Sequence, residues 1–188
     1  MASKRIGVLV GSLRQASFNR KMAKALAAIA PEGLTLEILE IGQLPFYNQD
    51  LDDAPPAAWT EFRKQVAACD GFLFITPEYN RSVPAVLKNA LDVASRPYGQ
   101  SAWDGRPGAV ISLTPGALGA FGANHHLRQS LVFLNVPTMQ QPEAYIGNAA
   151  ALFAEDGSFA NASIRGFAET FMQAFAAWVV RNAPPARA

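Results

Sequence analysis

The chain has 188 residues, 50% of them hydrophobic and 16% charged, enough to bury a real core in one domain and incompatible with a disordered chain. A net charge of +1 gives no electrostatic case for nucleic acid or an anionic membrane as partner. The single cysteine, Cys69, allows no internal disulfide and no cysteine-based metal cluster; its expected role is a small core residue.

Residues 4–10 read as a buried strand. It runs through residues 11–19, GSLRQASFN, into a helix over about 19–30 that Pro31, Glu32 and Gly33 stop. Residues 34–40 alternate apolar and polar, as a strand near a sheet edge does. A long connection, 41–56, carries Pro45, Asn48, Pro55 and Pro56; loops of that length are usually functional or mobile. A second helix spans about 57–68. Residues 71–76, GFLFIT, are apolar throughout, so this strand is covered on both faces.

After a loop at 77–82, Pro84 starts a third helix that runs to about 95, with proline at its favoured first position. Val83, Val86, Leu87, Ala90, Leu91 and Ala94 give it a broad apolar face, one side for the core and the excess for an interface. A fourth strand spans about 108–113. A glycine-rich loop follows at 114–122, then a helix at about 124–134. A short fifth strand lies near 135–138. The last helix spans about 164–181, and residues 182–188 read as a frayed tail. There is no internal repeat and no linker, so one domain covers 1–188. The first strand comes too soon for a signal peptide, and the apolar run 167–180 is broken by Glu169 and Gln173. The expectation is a cytoplasmic protein with no membrane contact.

Strand and helix alternate five times. That predicts an α/β fold: a doubly wound parallel sheet with helices on both faces and right-handed crossovers. Ligands of such sheets bind outside the carboxyl ends of the strands. Loops 11–19, 77–82 and 114–122 all lie at carboxyl ends, so the topology gathers them around one crevice.

The first loop reads as a phosphate cradle. Backbone N–H groups at a helix start have no intrahelical partner, and the helix dipole favours negative charge. Ser12, Ser17 and Asn19 add donors, and Arg14 can fork onto phosphate oxygens. The dipole contributes roughly 0.3–1 kcal/mol and each hydrogen bond to a charged group roughly 1.5–3 kcal/mol, so the side chains outweigh the helix axis. The alternative is an ordinary loop with polar caps. Leu13 stands where a dinucleotide fingerprint has its second glycine. Glu40 resembles a ribose-binding acid only weakly without those glycines. No Gly-Lys-Ser/Thr closes a nucleotide loop, and no cysteine suits a phosphatase. A single terminal phosphate fits better.

In the second loop, Pro77 stiffens the turn and the N–H groups of Glu78, Tyr79 and Asn80 are free to point at a ligand. Tyr79 can lie against a flat ring, and Asn80 offers donor and acceptor. That suits a planar heterocycle; the alternative is a turn with an exposed tyrosine.

Together, GSLRxxSxN after the first strand, TPEYNxSxPxxLKNAxD at 76–92 and the glycine loop before HLRQ at 126–129 resemble the NADPH-dependent FMN reductases, nearest to the flavodoxin-like quinone and chromate reductases. The resemblance runs over roughly 4–147. It implies a flavodoxin-like fold with strand order 2-1-3-4-5 and bound FMN. Ser12, Arg14, Ser17 and Asn19, with Gly11 and Leu13 beside them, would hold its phosphate. Pro77, Glu78, Tyr79 and Asn80 would line the isoalloxazine largely through backbone groups, and Thr114 and Gly116 would flank the ring. The implied activity is hydride uptake from NADPH or NADH and electron delivery to quinones, free flavin, azo compounds or metal oxyanions by a ping-pong scheme. The protein would be a homodimer or homotetramer, with a small-molecule acceptor as partner. A flavodoxin-type electron carrier is the alternative, although such carriers tend to be acidic and this chain is near neutral. Gly122 and His125 stand where close relatives often have arginine and an aromatic.

The remaining polar residues have plain readings. His125 and His126 point about 100° apart on a helix and lack a third ligand, so no metal site is expected. Lys88 and Asp92 make a surface pair worth a few tenths of a kcal/mol, about 0.3. Asn161 starts a helix. Glu78 has a positioning role, since hydride transfer to flavin needs no base.

Overall fold

The structure is a computed structural model that describes residues 3–183. The elements are β1 (Lys4–Val10), α1 (Phe18–Ala28), β2 (Leu34–Ile38), α2 (Ala57–Ala67), β3 (Gly71–Thr76), α3 (Ala85–Ala94), β4 (Gly108–Leu113), α4 (Phe121–Phe133), β5 (Tyr145–Ile146) and α5 (Ala162–Asn182), with short 3₁₀ turns at Gln49–Leu51 and Ala149–Ala151. They build one five-stranded sheet in the order β2-β1-β3-β4-β5, parallel throughout. This is the doubly wound, flavodoxin-like arrangement that the motifs imply.

The strand sequences explain their places. β3 and β4 are buried at every residue, because helices cover both faces. Successive side chains feed opposite cores. Phe72 and Phe74 pack under α2, α3 and α4 with Trp59 and Trp103; Leu73 and Ile75 pack under α1 and α5 with Met22, Phe171 and Phe175. Trp103 sits edge-on to Phe72 with ring centroids 4.7 Å apart. β2 alternates buried and wetter residues and is an edge strand, as its pattern predicts. Cys69 is a buried core residue, and burial pushes its thiol up to about 11.

The fifth strand is not at 135–138. Residue 138 makes only an isolated bridge to Gly108, and β5 pairs Tyr145 and Ile146 with Ser112 and Leu113. Two prolines explain the shift. Pro137 and Pro142 lack the N–H that a ladder needs, so the chain touches the start of β4, leaves it, and returns at its carboxyl end. Smaller differences lie at helix starts: Pro84 precedes α3 as its cap, and α4 begins at Phe121 rather than near 124. Asn182 belongs to α5; the rest of the expected tail from 184 lies outside the described residues.

The long connection is tied down. Asn89 accepts from Tyr47 N–H at 2.8 Å and donates to Leu44 and Pro45 carbonyls, and Trp59 Nε1 donates to Pro45 O at 2.9 Å. The apolar face of α3 is spent on the core: Leu87, Ala90, Leu91 and Ala94 are 0–1% exposed. Val132 and Phe133 at the end of α4 are strongly exposed apolar residues.

Candidate functional site

The three loops meet at the carboxyl ends of β1, β3 and β4. Gly11 N–H donates to Ile75 O at 2.9 Å, and a Cβ at Gly11 would stand 3.1 Å from Pro77 Cδ, so first and second loops touch. Ser12 and Pro77 are buried. Leu13 is half exposed and lies over Gly42, where a Cβ would come within 2.9 Å of Leu13 Cδ2. Arg14 is exposed at the rim.

Ser17 is the N-cap of α1; its Oγ accepts from Arg20 N–H at 3.2 Å. A hydroxyl that accepts there still has its hydrogen to donate. The first turn of α1 holds no acidic side chain of its own; Glu40 reaches it only through the Arg20 guanidinium and not on the backbone N–H groups. Asn19 is 5% exposed, and its buried Oδ1 has no hydrogen-bond partner. Such an orphan costs roughly 1–3 kcal/mol. A ligand hydroxyl donating to Oδ1 offsets that cost, as does a turned amide donating Nδ2 to a phosphate oxygen. Glu40 is engaged elsewhere: Arg20 grips it at 2.7 and 2.6 Å, and that hydrogen bonding holds its carboxyl below the usual range.

The second loop closes as a tight turn. Tyr79 and Ser82 exchange both backbone bonds, at 3.1 and 3.0 Å. Asn80 and Arg81 lie at φ 51° and 65°, the pattern of a type I′ turn. Tyr79 N–H is therefore used inside the turn rather than free for a ligand. Tyr79 is 47% exposed, and its ring offers a flat surface beside the crevice. Asn80 is at the exposed tip. The Glu78 side chain leaves the crevice: Oε2 accepts from Ala123 N–H at 3.0 Å and Oε1 from Arg81 Nη1 at 2.7 Å. Burial alone would raise its pKa, but the Ala123 N–H and Arg81 bring it below the usual carboxylate value.

The third loop is anchored to the sheet edge. Thr114 N–H donates to Ile146 O at 3.1 Å and Thr114 O accepts from Ala149 N–H at 3.1 Å. Gly116 is exposed. Gly119 has φ 61°, and a Cβ there would lie 2.5 Å from the Tyr145 carbonyl carbon, so only glycine fits. Ser112 Oγ donates to Gly119 O at 2.7 Å and accepts from Asn124 Nδ2 at 3.1 Å. This buried network shapes the loop, and the reading of the sequence missed it. Its one signal was a lone serine inside an apolar strand.

His125 and His126 are exposed. His125 Nε2 meets Tyr145 Oη at 3.2 Å, and His126 Nδ1 meets Ser82 Oγ at 3.0 Å. Among the described residues no three His, Cys, Asp or Glu side chains gather as a metal site. A cavity of about 790 Å³ between α2 and residues 96–104 contains none of the crevice residues. The donors of the first loop, the orphaned Asn19 amide and the exposed Tyr79 ring fit a ligand with a phosphate, a hydroxyl-bearing chain and a flat ring.

Comparison with known proteins agrees with that chemistry. The family model described as NADPH-dependent FMN reductase matches residues 4–151. A quinone reductase of Pseudomonas putida is 58% identical over 178 residues, covering 94% of this chain and 95% of that protein. A 2-hydroxy-1,4-benzoquinone reductase of a Burkholderia species is 47% identical over 175 residues, covering 93% and 96%. The structure of FerB, a flavoenzyme NAD(P)H:(acceptor) oxidoreductase from Paracoccus denitrificans, superposes with a TM-score of 0.92 at 41% identity, covering 96% of this chain and 100% of that one.

Proposed function

The chain belongs to the NADPH-dependent FMN reductase family, and from that premise we propose how its crevice works. The protein is an FMN-dependent oxidoreductase that passes electrons from NAD(P)H to a quinone-type acceptor. Ser12, Arg14, Ser17 and Asn19 would hold the FMN phosphate at the start of α1, with the backbone of Gly11 and Leu13 alongside. Pro77, Tyr79 and Asn80 of the second loop and Thr114 and Gly116 of the third would hold the isoalloxazine between them. The observation that carries this reading is the α1 N-terminus, with no acidic side chain in its first turn and a buried amide oxygen without a partner.

The chemistry supplied by FMN when bound is two-electron transfer from a nicotinamide to an acceptor. The protein binds and orients. Arg14 and the hydroxyls fix the phosphate, Tyr79 bounds the ring, and the anchored third loop excludes water from one side. One open side remains, so nicotinamide and acceptor visit in turn, a ping-pong scheme. The exposed Val132 and Phe133 suit the interface of a homodimer or homotetramer. Among the described residues no helix is long and apolar enough to cross a membrane.

The test is spectral and kinetic. The purified protein is expected to titrate with FMN, to lose its visible flavin bands on anaerobic NADPH, and to give parallel double-reciprocal lines at several acceptor concentrations. Intersecting lines would sink the single-sided crevice. Flavin that stays oxidised under both NADPH and NADH would leave an electron carrier.

A further inference from the structure

The most consequential contact in the crevice is one that never faces the ligand. Glu78 belongs to an exposed turn, yet its side chain is only 10% exposed. Each carboxylate oxygen has its own partner. Oε2 takes Ala123 N–H at 3.0 Å, and Oε1 takes Arg81 Nη1 at 2.7 Å. The helix it reaches has no cap of its own. Ala120, the N-cap of α4, is at φ 58° and offers no side-chain bond. A carboxylate at that end satisfies a free N–H and meets the positive end of the helix.

Gly122 completes the joint. A Cβ there would stand 2.9 Å from Glu78 Oε2 and 3.1 Å from Arg81 O. The first contact would displace the Glu78 carboxylate from its seat, and the second would press on the backbone of the turn that carries Tyr79. Ser82 and His126, at 3.0 Å, tie the same turn to α4 one helical turn further on.

We infer that Glu78 is a positioning residue for the flavin site: its carboxylate, lodged between the start of α4 and Arg81, sets the separation of the second-loop and third-loop walls, and residue 122 is glycine to admit it. This rests on the flavin reading above. Glu78 acts through the turn and the helix, and takes no proton from substrate.

The test is a double-mutant cycle on FMN affinity, measured by quenching of flavin fluorescence in the full chain. Glu78→Ala is expected to weaken binding about tenfold, because the two walls leave the separation that the flavin needs, and Gly122→Ala to weaken it by about tenfold. In the double variant the losses fall short of multiplying, because the new methyl no longer meets a carboxylate and keeps only its 3.1 Å approach to Arg81 O; its affinity stays within about threefold of Glu78→Ala alone. Glu78→Gln keeps an acceptor for Ala123 N–H and recovers most of the affinity. The visible circular dichroism of the bound flavin, which reports ring placement, changes in Glu78→Ala and returns in Glu78→Gln. Should Glu78→Ala not fold, Glu78→Asp stands in, since its shorter arm also clears the methyl. Multiplying losses, or wild-type affinity and dichroism in Glu78→Ala, overturn the inference while leaving the flavin reading intact. A wild-type chain that binds no FMN overturns the flavin reading and this inference with it.

Discussion

Two helices begin at the rim of the same crevice and are finished in opposite ways. α1 is capped from its own loop, by Ser17 Oγ on Arg20 N–H. That cap is neutral, and no acid follows in the first turn. α4 has no side-chain cap of its own and borrows a carboxylate from another loop, Glu78. A helix start carries roughly half a positive charge. At α4 Glu78 offsets it. At α1 the nearby Glu40 is paired with the Arg20 guanidinium, no acidic side chain follows in the first turn, and the exposed Arg14 adds a further cation. The proposed phosphate seat follows from this asymmetry. A local, neutral cap leaves a helix end open to an anionic ligand, whereas a charged cap from across the fold closes it and ties two walls together.

The largest effect is expected where the third loop leads into α4. Gly119→Ala combines left-handed strain of about 1–2 kcal/mol with overpacking of about 1–3 kcal/mol against the Tyr145 backbone. Urea unfolding should record a loss of roughly 2–5 kcal/mol, the sum of the two. A loss below about 1 kcal/mol would mean that the loop shifts freely and that the start of α4 is not held by it.

At the open helix end, Arg14→Ala should weaken FMN binding about ten- to a hundredfold, or 1.5–3 kcal/mol. The unfolding midpoint of the flavin-free protein should stay put, because Arg14 is exposed. An FMN titration at wild-type affinity would remove Arg14 from the phosphate seat. Ser17→Ala touches both sides of the comparison, since one hydroxyl caps the helix and, in the proposed seat, would donate to the phosphate. It should cost about 1 kcal/mol of stability without flavin, with a further loss of FMN affinity. Loss of stability alone would make Ser17 a cap and nothing more.

The smallest effect is a pH dependence at the closed end. Glu78 has a folded pKa below its ordinary value of 4.5. The folded state therefore binds this proton less tightly than the unfolded state. Its contribution to stability is full above the ordinary carboxylate range and is lost as pH falls through the folded value. Between about pH 5 and 3, wild-type stability should fall more steeply than that of Glu78→Gln. Parallel acid limbs would show that the α4 cap does not depend on the charge.

The first and second loops were not equally legible. The strand, loop and helix start around residues 11–19 could be read because they are consecutive; the phosphate seat built on them is the proposal above. Residues 77–82 could be read only in part. Positive φ at Asn80 and Arg81 closes the turn on itself and uses the Tyr79 N–H, which the motif left free. The Glu78 carboxylate turns to α4 because an uncapped helix start waits there, and no residue near 78 announces it.

What the sequence determined by itself is what burial and local geometry encode along the chain. Apolar runs at 71–76 and 108–113 made central strands, alternation at 34–38 made an edge, and Pro31 to Gly33 stopped a helix. What only the tertiary structure decided is where the polar groups found their partners. β5 moved to Tyr145 because Pro137 and Pro142 cannot donate to β4. Asn89 pinned a connection that begins some forty residues before it, as its bonds to Leu44, Pro45 and Tyr47 record. Glu78 crossed to a helix 45 residues on. The reason is physical: burying an apolar side chain needs only a nonpolar neighbourhood, whereas burying a donor or acceptor needs one partner at one distance and angle, which the folded chain brings in from anywhere.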